Sequence, residues 1–231
     1  MNVRYMPHAH IDGAAISLLN AYGRQHGQIT QPPVPADEIL ECHLRLSLLF
    51  DDLRKKFDDP SVLGAMRVDR REVLIDQSLD PYENPSLKGR YRFTVAHEVG
   101  HWTLHREQME MVRSAPLFDG EKGPSIICRS SRKKPPIEWQ ADCFAACLLM
   151  PVEMVRAQWE SITGSRQPYV AEKEIENLER NYGLTDTDQP PAVEVAQRMS
   201  HAFELSAQAM QIRLVELNLI LTKQPPRTLF G

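Results

Sequence analysis

The sequence predicts a mostly helical α+β fold with one small antiparallel hairpin. Apolar residues at helical spacing begin at residues 11–26 and recur along most of the chain. Two short apolar runs, residues 62–68 and 73–75, flank the polar triplet DRR, and this pattern is typical of a hairpin. Residues 192–220 favour a helix, a short turn and a second helix, with Ser206 as the N-cap of the second. We therefore expect a helical protein that ends in a helix-turn-helix-like pair.

Local start and stop signals indicate where the other elements lie. A proline-rich stretch precedes a helix from about Ala36, and a polar loop leads into a long helix at about residues 90–106. The stretch PSIIC, residues 124–128, predicts a short strand. A helix over residues 138–150, rich in Ala and Leu, is stopped by Pro151, which also suits the first turn of the next helix.

Composition and charge exclude several classes of function. The net charge of −4 and the pI of about 6.1 exclude a protein that binds nucleic acid over its whole surface, so any such contact requires a local patch. No apolar stretch approaches the roughly 20 residues that span a membrane, and the N-terminus does not resemble a signal peptide. The four cysteines do not look like a secreted disulfide framework. The sequence therefore predicts a soluble cytoplasmic protein.

The stretch HEVGHWTLH, residues 97–105, carries the strongest chemical signal. On a helix, His97 and His101 lie one turn apart, roughly 6 Å along the axis, so both imidazoles can reach one Zn²⁺ ion at about 2.0–2.1 Å. Glu98 follows the first histidine, where it can reach a water at the metal, as in the H-E-x-x-H arrangement of zinc hydrolases. His105 is roughly 12 Å along the axis from His97, so we predict a packed or solvent-facing residue rather than a ligand.

The third metal ligand is predicted in the stretch EWQAD on a second helix. A carboxylate from Glu138 completes a His₂Glu catalytic site and leaves one position open for water. Asp142, one turn further on, can accept the remaining N–H of a ligand histidine and so fix its tautomer. The alternative is that both are exposed acidic residues near the N-terminus of an amphipathic helix. With HEVGH upstream, we predict that Glu138 is the ligand and Asp142 its outer partner.

Together these motifs resemble the ImmA/IrrE family of metallo-endopeptidases. The similarity extends in order over residues 30–220. It rests on five stretches: PPVP, VLGAMRVDRREVLIDQS, RYRFTVAHEVGHWTLH, IEWQADCFAACLLMP and FELSAQAMQIRLVEL. The family often has Asn at the position of Asp142. The resemblance therefore supports the role of Asp142 as hydrogen-bond partner of a ligand histidine less than it supports the metal ligands.

The resemblance implies a compact, gluzincin-like α+β zinc peptidase domain with one Zn²⁺ per chain. It also implies a protein substrate: a partner repressor, often a helix-turn-helix protein, cleaved to switch on a stress, mobile-element or phage-defence response. The predicted hairpin fits this substrate class, because an exposed strand edge could hold an extended peptide by β-augmentation. We expect the metallopeptidase domain at residues 1–160, a helical extension at 161–222 and a mobile tail at 223–231.

Cys128, just upstream of the second helix, raises a regulatory hypothesis. A thiolate is a good zinc ligand, so Cys128 as a fourth ligand would take the position that water needs and act as a cysteine switch; the alternative is a buried, inert cysteine. The adjacent basic run contains Arg129, Arg132, Lys133 and Lys134. It is either a solvated loop or a phosphate-contacting patch through which single-stranded DNA activates the enzyme.

The remaining candidates have structural interpretations. Cys143 and Cys147 lie one turn apart among apolar neighbours and are predicted to be core residues. The C-terminal helix pair is predicted to pack structurally, since Arg213 beside Glu216 offers little positive charge to meet phosphates. A second hypothesis for the whole chain is a non-proteolytic, zinc-containing regulator that senses a signal and binds DNA or a partner protein. Glu98→Gln separates the two, because it abolishes cleavage and leaves a pure regulator working.

Overall fold

The computed structural model describes residues 4–113, 126–129, 135–182 and 192–223. Its contacts divide the chain into two compact units, Met1–Pro151 and Val152–Gly231. The domain boundaries predicted after residues 160 and 222 stay predictions. No helix in the described ranges is both long and apolar enough to cross a membrane.

The first unit contains five helices and four strands among its described residues. In chain order they are α1 (His8–His26), α2 (Ala36–Glu38, continued by a wider turn over Ile39–His43), β1 (Ser47–Asp51), α3 (Leu53–Lys56), β2 (Val62–Arg67), β3 (Glu72–Asp76), α4 (Lys88–Arg113), β4 (Ile126–Arg129) and α5 (Pro136–Leu149). The predicted α+β class is confirmed. The hairpin forms where DRR predicts it, because Arg71 adopts a left-handed backbone (φ 54°) that reverses the chain between β2 and β3.

The four strands form one mixed sheet in the order β1-β3-β2-β4. Strand β2 pairs antiparallel with β3 on one side and with β4 on the other, while β1 pairs parallel with β3. Both strands of the hairpin are therefore paired on both sides. The expectation of an exposed hairpin edge for a peptide was wrong, because the short strand at PSIIC and the unpredicted strand β1 occupy those two edges.

Helix α4 packs against both the sheet and helix α5. Gly100 makes the close approach to α5 feasible, since a Cβ at this position would lie 3.1 Å from the carbonyl oxygen of Ala141 and 3.2 Å from Phe144. Helix α1 packs on α5 as well. The centre of α4 is thus enclosed between the sheet and α5, and polar side chains on that part of α4 are buried.

The second unit is helical with a small parallel strand pair among its described residues. Its elements are α6 (Val152–Thr163), β5 (Tyr169–Val170), α7 (Glu172–Tyr182), α8 (Glu194–Phe203), α9 (Ala207–Glu216) and β6 (Ile220–Leu221), with β5 paired to β6. Helices α8 and α9 form the predicted helix-turn-helix-like pair. The Ser206 hydroxyl caps α9 by accepting a hydrogen bond from the Ala209 N–H at 3.1 Å. Arg213 is buried and lies 2.9 Å from Glu216, so its guanidinium does not face solvent.

Candidate metal centre

Helices α4 and α5 bring the three predicted metal ligands together. His97 and His101 lie on the buried face of α4, where they are 1% and 0% exposed, and Glu138 in the first turn of α5 is 7% exposed. One donor atom from each lies within 4.8 Å of the donors of the other two. Since Glu138 is buried and faces α4, it does not behave as an exposed residue at a helix N-terminus.

The donor atoms converge on a single point between the two helices. The Nε2 atoms of His97 and His101 are 2.9 Å apart. The two carboxylate oxygens of Glu138 lie 3.2 Å from Nε2 of His97 and 3.3 Å from Nε2 of His101. Two imidazole nitrogens and a carboxylate therefore point into one small volume.

Asp142 fixes the tautomer of His97. Its Oδ1 lies 2.8 Å from Nδ1 of His97. A carboxylate only accepts, so the hydrogen-bond network assigns the proton of a neutral His97 to Nδ1 and leaves a lone pair on Nε2. This is the geometry expected from the spacing of Glu138 and Asp142 on one helix.

A second chain of hydrogen bonds fixes the tautomer of His101. The backbone carbonyl of Arg4 accepts from the Gln140 amide nitrogen at 2.9 Å, which turns the amide oxygen of Gln140 toward Nε2 of His105 at 2.8 Å. With its proton on Nε2, His105 accepts at Nδ1 from Nδ1 of His101, 3.2 Å away. The proton of His101 is thereby assigned to Nδ1, and its Nε2 also carries a lone pair.

These proton assignments predict a cation-binding site. Three electron-pair donors that carry no proton face one another in a buried volume, and they repel unless a positive charge lies between them. Burial lowers the pKa of His101 to about 4, so this imidazole is neutral near pH 7 and ready to bind a metal. The donor set of two imidazoles and one carboxylate fits Zn²⁺.

Glu98 lies beside this centre and is completely buried. Neither of its carboxylate oxygens has a hydrogen-bond partner among the described residues. Burial, and to a smaller extent the charge of Glu138, raises the pKa of Glu98 to about 8, against the opposing effect of His97. A carboxyl group with this elevated proton affinity is suited to general acid–base work once a cation compensates its charge.

Strand β2 passes close to Glu98 at Gly64. A Cβ built on Gly64 would lie 2.5 Å from Oε1 of Glu98 and 3.2 Å from the Thr94 methyl carbon. Only glycine therefore allows the strand backbone to approach this carboxylate so closely.

The backbone of Cys128 lies in β4, directly opposite Gly64 in the antiparallel pairing. Its side chain and that of Arg129 lie outside the described part of the structure, as do Arg132, Lys133 and Lys134 entirely. The fourth-ligand role of Cys128 and the basic patch therefore stay predictions. The backbone pairing places the predicted switch residue on the strand beside the glycine that contacts Glu98.

Two features of the site do not follow from the sequence patterns. His105 is buried and hydrogen-bonded, and Gln140 links it to the N-terminal segment. The four-residue spacing from His101 to His105 is the one signal that could have indicated their contact, because residues one turn apart on a helix are neighbours. Gln140 has no such signal, since its role depends on how α4 and α5 pack.

Comparison with known protein families assigns the chain to one of them. Residues 53–215, more than half of the chain, match the IrrE N-terminal-like domain of peptidases. No curated protein matches the chain. A solved structure described as a Mycobacterium tuberculosis transcriptional regulator is similar at 12% identity with a TM-score of 0.39 over 84% of this chain. The match covers 52% of that protein, so the chain spans about half its length. From the extent of the family match, the chain belongs to the ImmA/IrrE family of metallopeptidases.

Proposed function

We propose that the protein is a zinc-dependent endopeptidase with His97, His101 and Glu138 on the metal and Glu98 as general base. One observation carries the proposal: two histidine Nε2 atoms and one carboxylate converge beside a buried glutamate whose oxygens lack partners among the described residues. Family membership supports the same reaction class.

The roles of the protein's own groups follow from their environments. A bound Zn²⁺ would supply a Lewis acid that polarises the scissile carbonyl and acidifies the attacking water. Glu98 takes the proton of that water and passes it to the leaving amine, since its buried position beside the proposed metal suits a carboxylate for general acid–base work. Asp142 keeps His97 in the tautomer that presents Nε2, and Gln140 acts on His101 in the same way through His105.

The proposed substrate is a transcriptional repressor, a helix-turn-helix protein whose cleavage derepresses a stress, mobile-element or phage-defence operon. The family resemblance supports this substrate class. The proposal places the scissile peptide at the open face of the metal, next to Glu98.

A cleavage experiment tests the proposal and separates it from a non-proteolytic regulator that binds DNA or a partner. The zinc-loaded chain is incubated with a helix-turn-helix repressor, chosen from its genomic neighbourhood if one is encoded there, and fragments are identified by mass spectrometry. We expect a defined cut that Glu98→Gln abolishes while zinc content stays unchanged. Glu107→Gln, an exposed glutamate on the same helix, is the matched control and should cleave normally. A repressor that stays intact, or a regulatory function that survives Glu98→Gln, overturns the proposal.

We further propose that strand β4 restrains the enzyme. Its position beside β2, with Cys128 opposite Gly64, supports a role in which the Cys128 thiolate occupies the open metal position until β4 moves. Single-stranded DNA bound at the basic run from Arg129 to Lys134 is the proposed activator. Cys128→Ala should raise basal cleavage, whereas Cys42→Ala, at an exposed cysteine, should not. Unchanged basal cleavage in Cys128→Ala, or activity indifferent to added DNA, contradicts the corresponding half of this proposal.

A further inference from the structure

A second group of metal-binding side chains lies where helix α1 meets helix α5. His8 is the first residue of α1, and Cys143 and Cys147 lie one turn apart on α5. One donor atom from each of the three lies within 4.8 Å of the others, and Sγ of Cys147 is 3.9 Å from Nε2 of His8. We propose that His8, Cys143 and Cys147 form a second metal site, which takes a thiophilic ion of the Zn²⁺ class.

The donor chemistry selects this class of ion. Two thiolates and one imidazole favour Zn²⁺ and related soft ions over Mg²⁺ or Ca²⁺, which take oxygen ligands. With Zn–S and Zn–N bonds of about 2.3 and 2.0–2.1 Å, tetrahedral ligand atoms are separated by roughly 3.5–3.8 Å. The Sγ to Nε2 distance is already close to this value, so small side-chain rotations complete the site.

The burial of the three residues fits metal binding better than a plain apolar core. Cys147 is buried, but Cys143 and His8 are only partly buried. If both cysteines were ordinary core residues, the burial of Cys147 would be expected, but the partial exposure of Cys143 and of the adjacent His8 imidazole would not. Because one side of the cluster faces solvent, a water can supply the fourth ligand.

The fold holds His8 near the cysteines by contacts that need no metal. The segment before α1 lies along α5: the Arg4 carbonyl accepts a hydrogen bond from Gln140, and the Tyr5 ring stacks on Trp139 with centroids 6.5 Å apart. Helix α1 then packs against α5. The site is therefore largely preformed, which lowers the conformational cost of binding a metal.

This site shares no ligand with the candidate centre at His97, His101 and Glu138. It therefore stands whether or not the chain proves to be a peptidase. A bound ion would fasten the start of α1 to the helix that carries Glu138. It would also stabilise the folded state, because it binds the native arrangement and not the unfolded chain.

Cobalt titration of the full-length, untagged chain in a phosphine reductant tests the proposal. Co²⁺ bound by thiolate gives a sulfur-to-metal charge-transfer band in the near ultraviolet, which two imidazoles and a carboxylate cannot give. The titration uses the Cys128→Ala chain, so that the thiolate proposed for the other centre contributes no band. We expect two equivalents of Co²⁺ per chain and a thiolate band. When Cys143→Ala and Cys147→Ala are added to this Cys128→Ala chain, the band and one equivalent should be lost together.

Three further variants keep the result interpretable. His101→Ala should lose the other equivalent and keep the thiolate band. His8→Gln, which removes a partly exposed ligand and leaves both cysteines in place, should lose the second equivalent even if the chain without both cysteines fails to fold. Cys42→Ala, at an exposed cysteine, is the matched control and should retain the thiolate band and the second equivalent. A Cys128→Ala chain that shows no thiolate band, or a band that survives the added Cys143→Ala and Cys147→Ala changes, overturns the proposal.

Discussion

Gly64→Ala places one methyl group against the proposed general base. Gly64 lies in the middle of β2, paired with Ile75 on β3 and with Cys128 on β4, so the strand backbone cannot retreat without disturbing two neighbours. The new Cβ would lie 2.5 Å from Oε1 and 3.3 Å from Cδ of Glu98. The change therefore acts first on the carboxylate, and none of the three atoms nearest to the new Cβ belongs to His97, His101 or Glu138.

The size of the displacement follows from these distances. Ordinary van der Waals contact begins at 3.4 Å, so the Glu98 oxygen must move by about 0.9 Å from its present 2.5 Å. Glu98 is fully buried, and Thr94 lies 3.2 Å from the same methyl position, so little free space is available for that movement. A misplacement of about 1 Å at a reacting group costs on the order of 100-fold in rate, and overpacking costs about 1–3 kcal/mol of stability.

Cleavage kinetics on the repressor substrate measure this effect. We expect kcat of Gly64→Ala to fall about 100-fold, while the zinc affinity, measured by competition with a chelator, stays close to wild type. Gly13→Ala is the matched control: no atom lies within 4 Å of its Cβ position on the exposed side of α1. That variant should keep full activity and gain about 0.5–1 kcal/mol of stability. A Gly64→Ala enzyme with wild-type kcat would refute the view that strand β2 positions Glu98.

Three other substitutions test the supporting contacts. Asp142→Ala should raise the Kd for zinc about 10–100-fold, since His97 loses the partner of its Nδ1; an unchanged Kd in a chelator competition contradicts this. Gln140→Leu should raise the same Kd about tenfold by releasing the tautomer of His105, and equal Kd values would show that this chain of bonds is not needed. Asp76→Ala should lower the free energy of unfolding by about 3 kcal/mol. The buried carboxylate accepts hydrogen bonds from two backbone N–H groups at the start of α3 and from the N–H of Ser78. A loss under about 1 kcal/mol in urea denaturation would contradict this role.

The sequence was sufficient for the metal centre wherever spacing along one helix determines geometry. His97 and His101 must share a face at a separation of four residues, and Glu138 and Asp142 must do so on the second helix. The structure brings His97 into contact with His101 on its own helix and with both Glu138 and Asp142 on the second helix. The spacing does not predict where α4 and α5 cross, so it could not assign a partner to His105 or bring His8 to the cysteines of α5.

The sheet was only partly predictable because distant residues define one of its strands. Strand β1 is not among the predicted elements, since the chain from Ala36 continues in apolar residues without a proline or glycine stop. The helix ends because Arg45 adopts a left-handed backbone (φ 56°). The guanidinium of Arg71 then donates hydrogen bonds to the backbone carbonyls of Leu44 and Arg45 at the end of this helix. Because Arg71 lies 26 residues from Arg45, the sequence around the helix end carries no signal for this cap. The hairpin turn between β2 and β3 is formed by neighbouring residues, and it was predicted.

Charge balance at the centre favours a divalent ion over a monovalent one. Glu98 and Glu138 are both buried, and two carboxylates at such close quarters cannot both ionise without compensation, which is part of why the pKa of Glu98 rises to about 8. Burial keeps His101 neutral near pH 7, so its imidazole offers no charge to offset them. Two positive charges would neutralise both glutamates, while Asp142, with a quarter of its side chain exposed, retains its own charge in contact with solvent. A monovalent ion would leave one buried glutamate protonated and unable to act as a base. The proposed role of Glu98 as general base therefore depends on the divalent ion proposed for this centre.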